Sequence, residues 1–517
     1  MTGPRHRSLR FRLGSSLGVN GVTLLAIVFQ ELILVPFFLY AWDAALYRDW
    51  LVVIAAVELV GVIDLGMNNY FSNAFMRARN QHDEAAYARL RALALGVYAL
   101  ILTAAACLVV LPVLALSAGL FDELFALEAG LGGDAAWIWL LMGVNLMTRL
   151  PGGPMAGIYR AEGDPALGHL VGLASVVSRV GVTVPVLLAG GGALELAGAI
   201  VCANSLLLLL IAGDLQRRYR LGLARPVLPD AGEWRDLAGK GAGFSLGNAA
   251  TVGTVQGLVL MTAHFALNPL AVVVLTTTRT VTGMVRQIAS QAAGVFAVEQ
   301  SRELAGGNTA QVAGLMRSSL RLSCGAAGGL GGMVVILGVP LMSVWTMGKV
   351  DQEGVLVYLL IVSILISAPA RSAAQLFYFT NRPHYEAVAQ SGVLVLMLLF
   401  CAVLIPRWGV VGAGAALLIG ESLAIALALG RVVARDQGIS WWVLQWAGWR
   451  WIIPGFAVGA ACALAATHVF APTDWVTLIA AVSLWCALAL IPAIRIMVPP
   501  HERKRAWTWL ISQRRRI

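Results

Sequence analysis

Residues 386–430 read EAVAQSGVLVLMLLFCAVLIPRWGVVGAGAALLIGESLAIALALG. Two apolar runs, 386–404 and 409–430, are parted only by Ile405, Pro406, Arg407 and Trp408. About 20 such residues cross a hydrocarbon core as a helix. Neither run repeats at a period of 2 or 3.6, so neither keeps a polar face for water. The stretch is two membrane spans joined by a tight turn.

The rest of the chain follows this pattern. Its 517 residues are 59% hydrophobic and 12% charged, with 55 glycines, whereas soluble domains are roughly a quarter charged. A soluble enzyme is excluded. Apolar runs between polar breaks predict fourteen spans, near 17–41, 50–75, 92–117, 135–159, 166–189, 193–213, 241–265, 268–298, 322–345, 354–380, 386–404, 409–430, 450–470 and 475–497. The fold class is therefore all-α: a polytopic membrane protein with 14 transmembrane helices. The connections are too short for an aqueous domain, so function must reside in the embedded part, and no enzyme activity is expected.

The net charge is +10, from 37 Lys+Arg against 27 Asp+Glu. Under this span order 29 of the cationic residues lie on the side of the N-terminus, counting Arg450 and Arg495 at the ends of spans 13 and 14 on that side, and only Arg48, Lys349 and Arg407 lie opposite. That asymmetry predicts both termini in the cytoplasm and an even number of spans. It explains the charge without nucleic acid. Trp42, Trp50, Trp137, Trp345, Trp408, Trp441, Trp442, Trp449 and Trp475 stand near span ends, as an aromatic belt would. The first apolar run is too long for a secretory signal and no small-x-small site follows it, so it reads as a retained helix. The loop 76–91, where Phe75, Tyr87 and Leu90 alternate with charges, predicts an interfacial amphipathic helix. The basic segment 501–517 reads as a lipid-headgroup anchor. No CxxC or His-x-x-x-His spacing occurs, so no metal or cofactor is expected.

The halves of the chain repeat. Ser16-Leu17-Gly18 opens span 1 and Ser245-Leu246-Gly247 opens span 7, with Gln30 and Gln256 inside them. Asn73-Ala74-Phe75 corresponds to Gly294-Val295-Phe296, and Gly198-Ala199 in span 6 to Gly412-Ala413 in span 12. Spans 1–6 and 7–12 thus read as two parallel six-helix bundles, with spans 13 and 14 added. The expected domains are 1–225 (first lobe), 226–435 (second lobe), and 436–517 (two terminal spans and a basic tail).

Several segments carry a family resemblance. Ile63-Asp64-Leu65-Gly66-Met67-Asn68-Asn69, the following Ala74 to Asp83, the turn Tyr159-Arg160-Ala161-Glu162-Gly163-Asp164-Pro165, and Ile405-Pro406-Arg407-Trp408-Gly409-Val410-Val411-Gly412-Ala413 resemble the polysaccharide flippases (Wzx-type) of the multidrug/oligosaccharidyl-lipid/polysaccharide exporter superfamily. The likeness covers about the first 430 residues and rests on helix ends and turns, not on a catalytic signature. The terminal spans are similar to the extra helices of the superfamily's lipid II flippases, which are implied to form a groove for a lipid tail. The resemblance implies a V-shaped, two-lobed exporter. It would move an undecaprenyl-diphosphate-linked oligosaccharide to the periplasmic leaflet by alternating access, for O-antigen, capsule or exopolysaccharide biosynthesis. The implied partners are that lipid-linked oligosaccharide, membrane lipids and the glycan polymerase machinery.

Arginines inside the spans speak to the cargo independently. They are Arg149, Arg179, Arg279, Arg286 and Arg371. An Arg at the bilayer centre costs about 2.5–3.5 kcal/mol on insertion scales, so each must face a cavity or a partner. Arg279 and Arg286 are seven apart, hence on one face of span 8, amid Thr276, Thr277, Thr278, Thr280, Thr282, Gln287 and Gln291. Guanidinium forks match phosphate oxygens, and hydroxyls and amides suit sugars. Arg149 precedes Pro151-Gly152-Gly153-Pro154 and Arg371 follows Pro369, where helices can break. Arg279, Arg286, Arg149, Arg371 and Gln287 are accordingly the candidate diphosphate- and glycan-binding residues.

Four acids also lie in spans: Glu31, Glu58, Asp64 and Glu421. Glu31, Glu58 and Asp64 are candidates for binding Na+ or H+ as a coupling ion; the membrane potential is the alternative drive. Asp64 has the weakest claim, since it can bind neighbouring backbone. Arginines and acids can also pair statically and lock helices, with Glu421 as a partner for Arg179. Lipid II flipping for peptidoglycan is favoured by fourteen spans, but the first span lacks the arginine cluster that resemblance to that family would require. A cation-coupled multidrug antiporter is disfavoured, because arginines repel cationic cargo through low dielectric.

Overall fold

The computed structural model describes residue 30 and residues 32–64, 66–115, 123, 125, 127, 131, 133–219, 225–380 and 382–497. Their regular elements are helices: α1 Leu32–Ala41, α2 Ala44–Val60, α3 Met67–Asn80, α4 Glu84–Ala115, α5 Ala135–Arg149, α6 Gly152–Ala161, α7 Pro165–Leu188 and α8 Ala193–Tyr219. There follow α9 Ala231–Phe265, α10 Ala271–Ala305, α11 Thr309–Trp345, α12 Gly354–Phe379, α13 His384–Gly420, a π-helix Glu421–Leu429, α14 Gly430–Asp436, α15 Trp441–Val469 and α16 Trp475–Met497. Spans 2 to 14 all fall on these helices. Among the described residues, nine helices are long and apolar enough to cross a membrane. Spans 11 and 12 count there as one helix, span 4 is broken between α5 and α6, α9 and polar α10 (spans 7 and 8) are not among the nine, and most of span 1 lies outside the described residues. The chain is an all-α, integral membrane protein.

The caps are side chains that satisfy the first free amides of a helix. Asp43 accepts from Leu46 N at 2.8 Å. Asp230 and Glu233 form a reciprocal capping box at the start of α9. Ser440 accepts from Val443 N at 3.3 Å to open α15.

The turn within residues 405–409 has a steric cause. Gly409 stands at φ 54°, ψ −138°, a backbone state essentially reserved for glycine. A Cβ on Gly412 would collide with the carbonyl of Leu404. Eight residues span about 12 Å along a straight helix, so this proximity requires the chain to fold back. Two spans result, as the apolar runs require.

The stretch 76–91 is not a separate amphipathic helix. It consists of the end of α3 and the start of α4, joined by a turn through Gln81, His82 and Asp83. Phe75 and Tyr87 are buried in a cluster with Phe71, Val97 and Tyr98; their apolar faces meet protein instead of the interface. The tryptophan belt needs a similar correction. Trp137, Trp408, Trp442 and Trp475 are exposed, whereas Trp42, Trp50 and Trp345 are buried. Trp42 packs edge-on against Trp50 and donates to the carbonyl of Gly191 at 3.0 Å.

The described residues form two compact units. One lies within Thr23–Leu275 and Gln390–Ala413, the other within Thr276–Ala389 and Gly414–Ile517. In the second unit α11 and α15 meet through glycine. A Cβ at Gly455 would stand 2.6 Å from the carbonyl oxygen of Gly325, and one at Gly459 would run into the Gly329 carbonyl. Small residues four apart let membrane helices pack backbone to backbone, and Gly325/Gly329 and Gly455/Gly459 have that spacing.

Candidate functional site

Glu421 is fully buried in the second unit. It opens the π-helix, a wide turn of a kind often found at functional sites. Within that turn the Ala426 carbonyl accepts two side-chain donors from α15, Trp441 Nε1 at 2.7 Å and Gln445 Nε2 at 3.1 Å. Helix α15 thereby holds the segment that carries Glu421.

Two arginines converge on this carboxylate. Arg371 on α12 donates Nη2 to Oε1 at 2.9 Å and Nε to Oε2 at 3.3 Å. Arg286 on α10 donates Nη1 to Oε1 at 2.5 Å. A carboxylate buried alone would lose its hydration uncompensated, and two guanidinium donors replace it. Within the triad two cations share one anion, and the Glu386 carboxylate, which also acts electrostatically on Arg371, offsets the second charge in part. Between Arg286 and Arg371 lies a cavity of about 20 Å³, lined in part by Ser290, Ser367 and Ser372. That is room for about one water.

The other candidates are dispersed. Arg279 is half-buried two turns before Arg286 on the same unbroken helix, and Gln287 is half-buried beside Arg286. Two of the threonines around them bond to their own helix. Thr277, Thr278 and Thr282 are buried, Thr282 donates to the Thr278 carbonyl at 2.9 Å, and Thr280 donates to that of Thr276 at 2.9 Å. Back-bonding of this kind spends the hydroxyl donor within the helix, so those two donors are not available to a sugar as the sequence suggested.

In the first unit Arg149, at the α5–α6 break, donates to Glu58 at 2.7 Å, and both side chains are partly exposed. Asp64 accepts from Tyr98 OH at 2.7 Å and from the amide of Asn68 at 3.5 Å. It therefore supports the start of α3 after Gly66, which has φ 70°. Glu31 lies outside the described residues. The partners of Glu421 are Arg286 and Arg371 rather than Arg179. Arg48, expected in an exterior loop, is buried in α2 with Asp49 at 2.6 Å and donates to the Ala263 carbonyl at 3.3 Å. Nothing in its sequence neighbourhood beyond the adjacent acid signals that burial.

No protein-family model and no curated protein matches the sequence. Solved structures do resemble the fold. One is the lipid II flippase MurJ in an inward closed conformation, with TM-score 0.65 and 10% identity, covering 94% of this chain and 99% of that one. Another is an inward-facing multidrug resistance MATE family transporter of the MOP superfamily, with TM-score 0.64 and 13% identity, covering 80% of this chain and 94% of that one. The outward-facing conformation of a MATE family transporter gives TM-score 0.55 at 16% identity over 83% of this chain and 94% of that one. The fold is the one that these MATE and MurJ structures share.

Proposed function

We propose that the protein is a flippase that carries an undecaprenyl-diphosphate-linked oligosaccharide from the cytoplasmic to the periplasmic leaflet by alternating access, for O-antigen, capsule or exopolysaccharide biosynthesis. The observation that carries this reading is the convergence of Arg286 and Arg371 on the single carboxylate of Glu421. In low dielectric this cationic excess attracts a diphosphate and repels the organic cations that a multidrug antiporter would move. The substrate anion takes over the guanidiniums when Glu421 withdraws. Na+ or H+ bound at Glu31, Glu58 or Asp64 supplies the coupling in this scheme, and the glycan polymerase machinery is the downstream partner.

Lipid II is the second reading. It is favoured by the larger share of this chain that superposes on MurJ, 94% against 80% for the inward-facing MATE transporter. The test is depletion of the protein in its host, rescue with Arg286→Ala or Arg371→Ala at matched membrane abundance, and analysis of accumulated lipid-linked intermediates. The expected result is accumulation of an undecaprenyl-diphosphate oligosaccharide that the variants fail to clear. Accumulation of lipid II would establish the second reading. Normal glycan display with both variants would overturn the anion site.

A further inference from the structure

The segment that carries Glu421 is built with one residue too many. Residues 421–429 form a π turn inside an otherwise α-helical span, and such a wide i→i+5 turn holds an extra residue relative to the α ladder on either side. An α ladder would send the Gly430 N–H to the Ala426 carbonyl. It goes instead to the carbonyls of Ile425 and Leu427. The Ala426 carbonyl receives Trp441 Nε1 and Gln445 Nε2. A Cβ on Gly430 would stand 3.0 Å from that Trp441 nitrogen and 3.2 Å from the Gln445 nitrogen, so glycine leaves both donors a clear path.

Both flanks of the wide turn are held. Downstream, Asp436 at the end of α14 accepts from Arg382 Nη1 at 2.7 Å and from Nη2 at 3.4 Å, and Val433 and Ala434 are buried. Upstream, a Cβ on Gly414 would stand 2.7 Å from Leu356 Cδ1 on α12, and Ala416 is buried. Between held ends the extra residue cannot be expelled, but it can move along the helix. Each residue that the turn passes changes its ladder partner by one and rotates by about 100° about the axis. Glu421 is the first residue of the turn. An upstream step therefore carries its carboxylate around the helix and off Arg286 and Arg371.

We infer that residues 421–429 are a sliding π turn latched by Trp441 and Gln445. With both donors on the Ala426 carbonyl the turn rests where it stands and Glu421 occupies the two guanidiniums. When the donors let go, the Gly430 N–H takes that carbonyl, the turn moves towards Gly420 and Ile419, and the arginines are freed. Packed helices switch between discrete arrangements in this way rather than deforming continuously. Trp441, Gln445 and Gly430 are thus positioning residues, which act on the Glu421 carboxylate through the backbone of the turn. The use of the device rests on the anion-site reading, in which Glu421 withdraws before cargo binds; the latch itself does not.

The test uses the full-length protein in lipid nanodiscs, with a bound antibody fragment for cryo-electron microscopy. Trp441→Phe/Gln445→Leu removes both donors. It should show the Gly430 N–H returned to the Ala426 carbonyl, the wide turn upstream of Glu421, and loss of both arginine contacts. Gly430→Ala keeps the donors and the triad but crowds the latch, and should shift the turn the same way. Deletion of Ala428, which is exposed, removes the extra residue, so that the bond from Gly430 N–H to the Ile425 carbonyl becomes an ordinary α bond. That variant should keep the triad, show no wide turn, and fail to clear the lipid-linked intermediate in the depleted host. A wide turn that stays at 421–429 in the first two variants would overturn the inference, as would normal clearance by the deletion variant with its triad intact. If depletion accumulates no lipid-linked intermediate, the cargo reading falls, and the first two structures still decide the latch. If the double variant fails to fold, Gly430→Ala decides.

Discussion

Arg371 grips Glu421 with two nitrogens, Nη2 on Oε1 and Nε on Oε2, while Arg286 reaches only Oε1. The two arginines are therefore unequal partners. Arg371 is 17% exposed and Arg286 32%. Removing the acid strands both cations. Glu421→Ala should lower stability by about 3–5 kcal/mol, the usual result of breaking a buried pair. Arg371→Ala should lose somewhat less, and Arg286→Ala least, about 1 kcal/mol, because water reaches it. Thermal unfolding of the purified variants checks the order Glu421, Arg371, Arg286. Arg286→Ala is then the cleaner probe of transport, since its folding cost is smallest.

The π-helix depends on a carbonyl that α15 satisfies. Trp441→Phe and Gln445→Leu each remove one donor to Ala426 O. Each should cost about 1 kcal/mol, with no further loss from an orphaned acceptor until both are gone. Hydrogen exchange across residues 421–429 should accelerate in the double variant more than the two single variants predict together. Additive exchange would show that the π turn holds without α15.

Gly409 tests the fold-back. Any side chain there must adopt φ 54°, ψ −138°, so Gly409→Ala should destabilise by about 1–3 kcal/mol. Thermal unfolding reads the loss. An unchanged Tm would mean that the turn relaxes to ordinary helix, which the close approach of Leu404 and Gly412 forbids.

Not all glycines are equivalent. Gly459→Ala should cost about 1–3 kcal/mol through overpacking, since the new methyl meets the Gly329 carbonyl. Gly181, in α7, has open space where a Cβ would stand. Gly181→Ala should stabilise by up to about 1 kcal/mol through helix propensity alone. Opposite signs in thermal unfolding separate a packing glycine from an idle one.

These sites also show what the sequence made legible. The spans were readable because hydrocarbon thickness imposes a run length, and the break within 405–409 because Pro406 and Gly409 interrupt a helix locally. Intramembrane arginines stood out by the cost of placing them there. The pairing on Glu421 was not readable: Arg286 and Arg371 lie 135 and 50 residues away, and helical periodicity tells which residues share a face but not which faces meet. The back-bonding of Thr280 and Thr282 in α10 was hidden for a related reason. A hydroxyl in a helix has a carbonyl of its own helix within reach, so polar composition does not reveal a polar surface. Trp42 and Trp50 looked interfacial by position and turned out to pack on each other, a tertiary choice that their neighbours in sequence do not encode.

The glycine seam between α11 and α15 has a mechanical consequence. Side chains normally form a compliant layer between helices, and their rotamer changes absorb small displacements. Where Gly455 and Gly459 abut the carbonyls of Gly325 and Gly329 that layer is missing. A push on α15 passes into α11 without slack, and through Trp441 and Gln445 it reaches the turn that carries Glu421. Seated on α11, helix α15 thus acts as a stiff splint against which the carboxylate is aimed.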